Sequence, residues 1–134
     1  MTWRRWTSRI VLGAAIVSVP LMANAVMLHL KLSRSEPAAN ARLATSPTAV
    51  KLWFTQRPEL TVTAIKIRSG AGAAAVERTL APLARAAAAN SPITAPVGAA
   101  LATGHYEIVW RTMARDGHVL NGVIPFDVST PAAH

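Results

Sequence analysis

The chain of 134 residues contains no cysteine, so no disulfide can staple its fold. An exported protein of this kind must be held together by its core, and thiolate-based zinc and iron–sulfur sites are excluded. Aromatic residues make up only 5% of the chain. The basic residues between Lys31 and Arg68 stand singly, without a cluster and without interleaved aromatics. This pattern argues against nucleic-acid binding.

The sequence also lacks the patterns that common active sites require. Its serines have no nucleophile context, and no Ser-His-Asp order is supported. Its carboxylates do not form a recognisable acid–base pair. We find no internal repeat and no convincing long amphipathic helix. We therefore expect a single domain that is not an enzyme.

The first 25 residues have the layout of a secretory signal peptide. A basic n-region (Arg4, Arg5 and Arg9) precedes the apolar stretch Ile10–Met22, and Ala23-Asn24-Ala25 forms an A-x-A cleavage site. The apolar stretch is too short to span a bilayer comfortably. We therefore expect a periplasmic domain over residues 26–134. Removing the three arginines leaves 11 basic residues against 6 acidic ones, which lowers the formal charge from +8 to +5.

The first half of the domain shows short stretches with the period of a β-strand. Val50–Thr55 alternates so that Val50, Leu52 and Phe54 share one face. Leu60–Arg68 is rich in β-branched residues, but its apolar phase slips after Ala64, which predicts a bulge or a crossing between two sheets. We interpret Ala73–Pro96 as irregular or weakly stranded, with a short helix over Leu83–Ala89 as the alternative.

Two longer strands are predicted in the second half. Tyr106–Met113 places Tyr106, Ile108 and Trp110 on one face. The closing strand Gly122–Val128 places three apolar residues inward: Ile124, Phe126 and Val128. Pro125 cannot donate a hydrogen bond, so its amide position should point away from a partner strand, as at an edge or a bulge. Short alternating strands separated by Gly and Pro turns predict an all-β sandwich.

Asp116-Gly117-His118 lies between these two strands and is the main candidate site. A carboxylate and an imidazole two residues apart supply one hard oxygen and one borderline nitrogen, which suit copper(II) or zinc. The alternative is an ordinary turn, because Asp-Gly is a common turn dipeptide. His105, at the start of a strand, is interpreted as a solvated residue, and Trp53 and Trp110 as packing residues.

Several segments together resemble the CopC family of periplasmic copper-binding proteins from bacterial copper-resistance systems. The matching pieces follow the order of the family: His29-Leu30-Lys31-Leu32, Ser35-Glu36-Pro37-Ala38, Pro47 with Val50-x-Leu52-x-Phe54, Leu101 with Gly104-x-Tyr106-x-Ile108-x-Trp110, and Asp116-Gly117-His118-x-x-x-Gly122 with Phe126-x-Val128. They cover nearly all of the mature chain and are weakest across Ala73–Pro96. The ordered set is more specific than any single piece.

This resemblance implies an immunoglobulin-like Greek-key β-sandwich that binds copper(II) in the periplasm and hands it on without catalysis. In the family an N-terminal histidine binds copper through its α-amino nitrogen and its imidazole, together with the Asp and His of the Asp-Gly-His motif. Carried over by position, the ligands are His29, Asp116 and His118. The resemblance also suggests an inner-membrane copper transporter as partner, and we expect a monomer.

The sequence departs from the family pattern at its N-terminus. A cut after Ala25 leaves Val26-Met27-Leu28 ahead of His29, whose nitrogen would then be a peptide amide. Either later trimming exposes His29, or the site is weaker and shaped differently. In the second case the domain is an immunoglobulin-like interaction module with weakened metal binding. A copper enzyme with a histidine brace would need a free N-terminal His29 and a substrate surface, and the sequence shows no sign of the latter.

A copper(I) site of the methionine-rich kind does not fit this chain. Soft thioether sulfurs suit copper(I). After removal of the signal only Met27 and Met113 remain. We interpret Met113 as a packing residue.

Overall fold

The computed structural model describes residues 29–70, 72–82 and 91–129, and these contain eight β-strands. In chain order the strands are β1 (Leu32–Glu36), β2 (Ala41–Leu43), β3 (Ala49–Phe54), β4 (Ala64–Ser69), β5 (Val76–Leu80), β6 (Ile93–Pro96), β7 (Gly104–Met113) and β8 (Val119–Val128). Two short 3-10 turns, Leu60–Val62 and Gly72–Ala74, precede β4 and β5. The predicted signal peptide lies outside the described residues. No helix in the described part of the chain is long and apolar enough to cross a membrane.

The strands form two sheets. Sheet A has the order β1-β3-β6, and sheet B has the order β2-β8-β7-β4-β5. All neighbouring strands run antiparallel except β2 and β8, which are parallel. The predicted all-β, immunoglobulin-like Greek-key sandwich is confirmed.

The core lies between the two sheets and follows the predicted alternation. Every second residue is buried from Tyr106 to Thr112 on β7 and from Ile124 to Val128 on β8, and the intervening residues are more exposed. The largest fully buried side chains are Phe126, Leu52, Ile65, Ile93, Ile108, Val50 and Thr112. The predicted inward faces of β3, β7 and β8 are therefore confirmed, with Phe54 half-buried at the margin of the core.

The phase slip after Ala64 marks the crossing between the sheets. β3 belongs to sheet A and β4 to sheet B, and the 3-10 turn Leu60–Val62 lies on the connection. β4 begins at Ala64, directly after that turn. Of the two predicted causes, the crossing is the one that the structure shows, and the expected bulge is absent from the β4 pairings.

The Ala-rich region that was hardest to predict contains two strands in its described part. β5 pairs with β4 at the edge of sheet B, and β6 pairs with β3 at the edge of sheet A. Four of the five β5 residues are exposed, so the strand lacks the apolar alternation that announces a half-buried strand. The alternative helix over Leu83–Ala89 lies outside the described residues.

Pro125 has no backbone N–H, and on β8 its amide position lies on the side away from β7. Its carbonyl accepts a hydrogen bond from the Asn40 N–H at 2.7 Å, on the side of β8 opposite β7. The amide position of a strand residue points to the same side as its carbonyl. On that side β2 begins only at the Ala41–Phe126 pair. The Pro125 amide position therefore lies on the β2 side of β8, one residue before the β2 pairing begins. It points away from β7, but β8 is an interior strand without a bulge at this position, so the expected edge or bulge is not found.

Candidate metal centre

The Asp-Gly-His segment forms the tip of the β7–β8 hairpin. The Gly117 N–H donates to the Ala114 carbonyl at 2.9 Å, which closes a turn, and the Ala114 N–H donates to the His118 carbonyl at 2.9 Å. Gly117 has a φ of +89°, a conformation that glycine adopts without steric cost. The turn therefore places Asp116 and His118 on the same side of the hairpin tip.

Asp116 and His118 are in direct contact. The His118 Nδ1 lies 2.8 Å from the Asp116 Oδ2, and the His118 backbone N–H donates to the Asp116 Oδ1 at 3.1 Å. The hydrogen bond from the His118 side chain, followed by that from its backbone N–H, lowers the pKa of the Asp116 carboxyl below its ordinary value. The carboxylate is thus anionic at neutral pH. The contact also occupies Nδ1, which leaves Nε2 as the second ring nitrogen available to a metal.

Both side chains of this pair are open to solvent. The exposed fraction is 82% for the His118 side chain and 58% for that of Asp116. An ion can therefore reach the pair without any movement of the core.

His29 lies at the same end of the sandwich as this hairpin tip. The Thr55 hydroxyl, just beyond the end of β3, donates to the His29 carbonyl at 2.9 Å and accepts from the Lys31 N–H at 2.9 Å. The neighbouring Phe54 packs edge-on against Trp110 of β7, with ring centroids 5.4 Å apart. The end of β3, and His29 with it, thus lies near the end of β7.

A second link ties the β3–β4 connection to the hairpin. The Glu59 N–H donates to the Met113 carbonyl, the last residue of β7, at 3.0 Å. Below it the Thr63 hydroxyl donates to the Glu59 carbonyl at 2.7 Å and lies 2.7 Å from the buried Thr112 hydroxyl. These hydrogen bonds support the base of the hairpin, and no pattern in the sequence predicted them.

The structure brings together two of the three predicted ligands. Asp116 and His118 are in contact, whereas His29 stays outside their cluster. Within the described ranges no group of three or more His, Asp or Glu side chains is close enough to hold a metal ion together. The full set of His29, Asp116 and His118 therefore stays a prediction.

A second Asp–His pair lies at the other end of the β7–β8 ladder. The His105 Nδ1 lies 2.7 Å from the Asp127 Oδ1, and the two residues are opposite each other in the register. The His105 side chain is 60% exposed. The strand-end position predicted for His105 is confirmed, and its carboxylate partner is a feature that we did not predict.

Trp110 and Gly122 form a tight contact between the hairpin tip and the core. They face each other across the β7–β8 ladder, and the indole covers the glycine. A Cβ built on Gly122 would lie 2.7 Å from two carbon atoms of the ring. The Trp110 indole N–H is buried without a partner in the described residues, which leaves the ring held by packing alone.

We expect Gly122→Ala to lower the free energy of unfolding by about 1–3 kcal/mol, because the indole must move in a packed core. Urea denaturation monitored by tryptophan fluorescence measures this change. Gly104→Ala is the matched control on the same ladder, since a Cβ there would meet the Tyr106 ring only at an ordinary 3.8 Å. Equal losses in the two variants would contradict the steric argument.

The described part of the chain is thus a small two-sheet β-sandwich domain with an exposed carboxylate–imidazole pair at a hairpin tip. The CopC domain matches residues 32–129, and the chain therefore belongs to the CopC family. Asp116 and His118 lie inside the matched region, whereas His29 lies three residues before it.

Individual relatives resemble the chain over most of its length. The protein YobA of Escherichia coli K12 is 28% identical over 114 residues, which cover 85% of this chain and 90% of YobA. The YobA protein of Shigella flexneri gives the same values. Among solved structures, CopC from Methylosinus trichosporium OB3b is 27% identical, with a TM-score of 0.64 over 79% of this chain and 99% of that one. PcoC from Escherichia coli, a methionine-rich copper resistance protein, shares the fold with a TM-score of 0.59, over 75% of this chain and 99% of its own, at 24% identity.

Proposed function

We propose that this chain binds one copper(II) ion at the β7–β8 hairpin tip and hands it on by ligand exchange, without catalysing a reaction. The observation that carries the proposal is the preformed contact between Asp116 and His118 on the exposed turn. Membership of the CopC family supports copper as the metal. The structural neighbour PcoC is described as a copper resistance protein, which agrees with a role in handling copper.

The donor set fits the preferences of copper(II). Nitrogen and carboxylate oxygen ligands suit its tetragonal geometry, and copper(II) stands at the top of the divalent affinity order. Asp116 supplies a negative charge, and His118 supplies an imidazole nitrogen. His29, anchored at the same end of the sandwich by Thr55, is the third ligand of the proposed set. With a free α-amino group it adds a second nitrogen.

Methionine ligation of copper(I) is not part of the proposal. Met113 is the only methionine in the described part of the chain, and it lies half-buried at the end of β7. PcoC, by contrast, is named for its richness in methionine. We therefore assign the hairpin site to copper(II).

The proposal places the protein in the periplasm as a monomer. A signal peptide over residues 1–25 would deliver it there, and the absence of cysteine keeps the fold independent of the redox state of that compartment. An inner-membrane copper transporter is the proposed recipient or donor of the ion.

The first test is the intact mass of the protein exported by its native host, followed by copper(II) titration of the same sample. We expect one equivalent of copper(II) to bind. A mass that begins at His29 with one tightly bound ion supports the full ligand set. A mass that begins at Val26 with no copper bound contradicts the proposal.

A second candidate function is an interaction module that kept the fold and has weak metal binding. The separation of His29 from the Asp116–His118 cluster favours it. In that case the domain would dock on a membrane copper transporter without carrying the ion. Copper(II) titration distinguishes the two, because only the carrier needs a bound equivalent of copper.

A further inference from the structure

A small cleft opens beside the hairpin tip that carries Asp116 and His118. It is lined by Gln56 and Arg57, just beyond β3, and by Arg115 in the hairpin turn, and its volume is about 220 Å³. All three lining residues are exposed. Two guanidinium groups and one amide thus surround a space large enough for a single side chain.

The charge of Arg115 in this cleft is not cancelled by the acidic residue next to it in the chain, whereas Arg57 has an interaction of its own. Asp116 does not line the cleft, and both of its carboxylate oxygens are engaged by His118. No hydrogen bond or ion pair joins the Arg115 side chain to another residue of the described chain. Arg115 is therefore a cation presented to solvent at the mouth of the cleft.

We propose that this cleft binds a carboxylate side chain from an acidic segment of a partner protein. A guanidinium presents its donors as a planar fork that matches a carboxylate, and such charge-assisted bonds are among the strongest between side chains. The Gln56 amide adds a neutral donor to the same space. After removal of the predicted signal peptide the basic residues still outnumber the acidic ones, 11 against 6, and this excess steers an acidic partner toward the cleft.

The lining favours a polypeptide over a lipid surface. Proteins that lie on membranes use aromatic and large aliphatic anchors beside a broad basic patch. This cleft has no aromatic or aliphatic side chain in its lining. It therefore offers a carboxylate its guanidinium and amide donors and offers a membrane no apolar anchor.

The cleft lies beside the hairpin tip that carries the proposed copper ligands, so a partner bound there would be next to the ion. Arg115 directly precedes Asp116, so a protein docked on the cleft approaches the hairpin tip itself. The inference goes beyond the proposed copper binding, because the cleft exists without a metal. Its test can therefore use the apo protein, and a negative result leaves the copper proposal untouched.

The probe is a fluorescein-labelled peptide of six glutamates alternating with serine, titrated with apo protein at an ionic strength of about 0.15 M and followed by fluorescence anisotropy. We expect Arg115→Glu to weaken peptide binding by roughly tenfold, because it replaces the attraction with repulsion. Arg42→Glu is the matched control. It makes the same change of charge at an exposed position on β2, near the far end of β8.

We expect Arg42→Glu to weaken peptide binding by less than about twofold. The changed charge lies far from the cleft, and salt screens it. Amide shifts in the nuclear magnetic resonance spectrum should centre on residues 56–57 and 114–116. Equal weakening by the two variants would overturn the proposal, because it would reduce the effect to net charge. Failure of the wild-type protein to bind the peptide would also overturn it, as would tighter Arg115-dependent binding to phosphatidylglycerol vesicles.

Discussion

The variant His118→Ala should bind copper(II) at least about 100-fold more weakly than the wild-type protein. The loss exceeds what removal of an outer-shell partner causes, which is about 10–100-fold, because the imidazole is itself a proposed ligand. Asp116→Asn should also weaken binding by at least about tenfold, because it removes the negative charge of a second proposed ligand. Competition against a copper chelator of known affinity measures both values.

His105→Ala is the matched control for this experiment. His105 is also an exposed histidine that contacts an aspartate, at 2.7 Å, but it lies at the far end of the same ladder. Its loss should leave copper affinity unchanged. The His118 side chain is 82% exposed, so its removal should leave the melting temperature unchanged as well. A loss of affinity without a loss of stability separates ligation from folding.

Two results would contradict the assignment of the site. If His118→Ala binds copper as tightly as the wild type, the hairpin tip is not the site. If His105→Ala weakens binding as much as His118→Ala, the ion has no preference for the end of the sandwich that holds His29. Either result would move the function toward an interaction module.

The parts of this fold that the sequence predicts are those whose strands are half-buried. β7 and β8 alternate strictly, because one face of each contacts the core and the other contacts solvent. The same pattern does not predict β5, because this strand lies at the edge of sheet B and has almost no buried residue. An edge strand of this kind is held by its backbone pairing with β4, which leaves no trace in the pattern of apolar residues.

The same distinction applies to the candidate site. Asp116 and His118 are two residues apart on one turn, so their contact is local and the sequence predicts it. The place of His29 depends on the Thr55 hydroxyl, 26 residues away, which no periodicity reveals. The set of three ligands therefore needs tertiary information that only the fold supplies.

The His105–Asp127 pair could have been found from the sequence. The turn of the hairpin is centred on Asp116, and residues at equal distances on either side of it oppose each other in the ladder. Counting outward from that centre pairs His105 with Asp127, and it pairs Trp110 with Gly122 in the same way. The position of one turn thus fixes the register of the whole hairpin.

The β7–β8 hairpin has a buried part in the core and an exposed tip. Its strands carry Ile108 and Phe126 into the core, where both are fully buried, whereas the side chains at its tip are mostly open to solvent. Stability and the proposed copper binding thus rest on different residues of the hairpin. We therefore expect that changes in the core of the hairpin alter stability and leave the affinity of the folded protein for copper intact.

Phe126→Ala is the variant that tests this separation most severely. Phe126 is fully buried on β8, between β2 and β7, and stacks on Tyr106 with ring centroids 5.6 Å apart. Removing the ring leaves a cavity that the neighbouring strands cannot close, so we expect the free energy of unfolding to fall by about 3–5 kcal/mol. Domains of this kind have about 5–15 kcal/mol in total. The urea midpoint should therefore drop steeply while the slope of the transition stays unchanged.

Val123→Ala provides the matched control, because Val123 lies on the outward face of the same strand and is 50% exposed. Its free energy of unfolding should change by no more than about 0.5 kcal/mol. At temperatures where Phe126→Ala remains folded, its copper(II) affinity should equal that of the wild type, since Phe126 lies eight residues along the chain from His118, toward the other end of the β7–β8 ladder. A folded Phe126→Ala protein with weakened copper binding would show instead that the core of β8 positions the ligands, and that stability and binding are coupled through the hairpin.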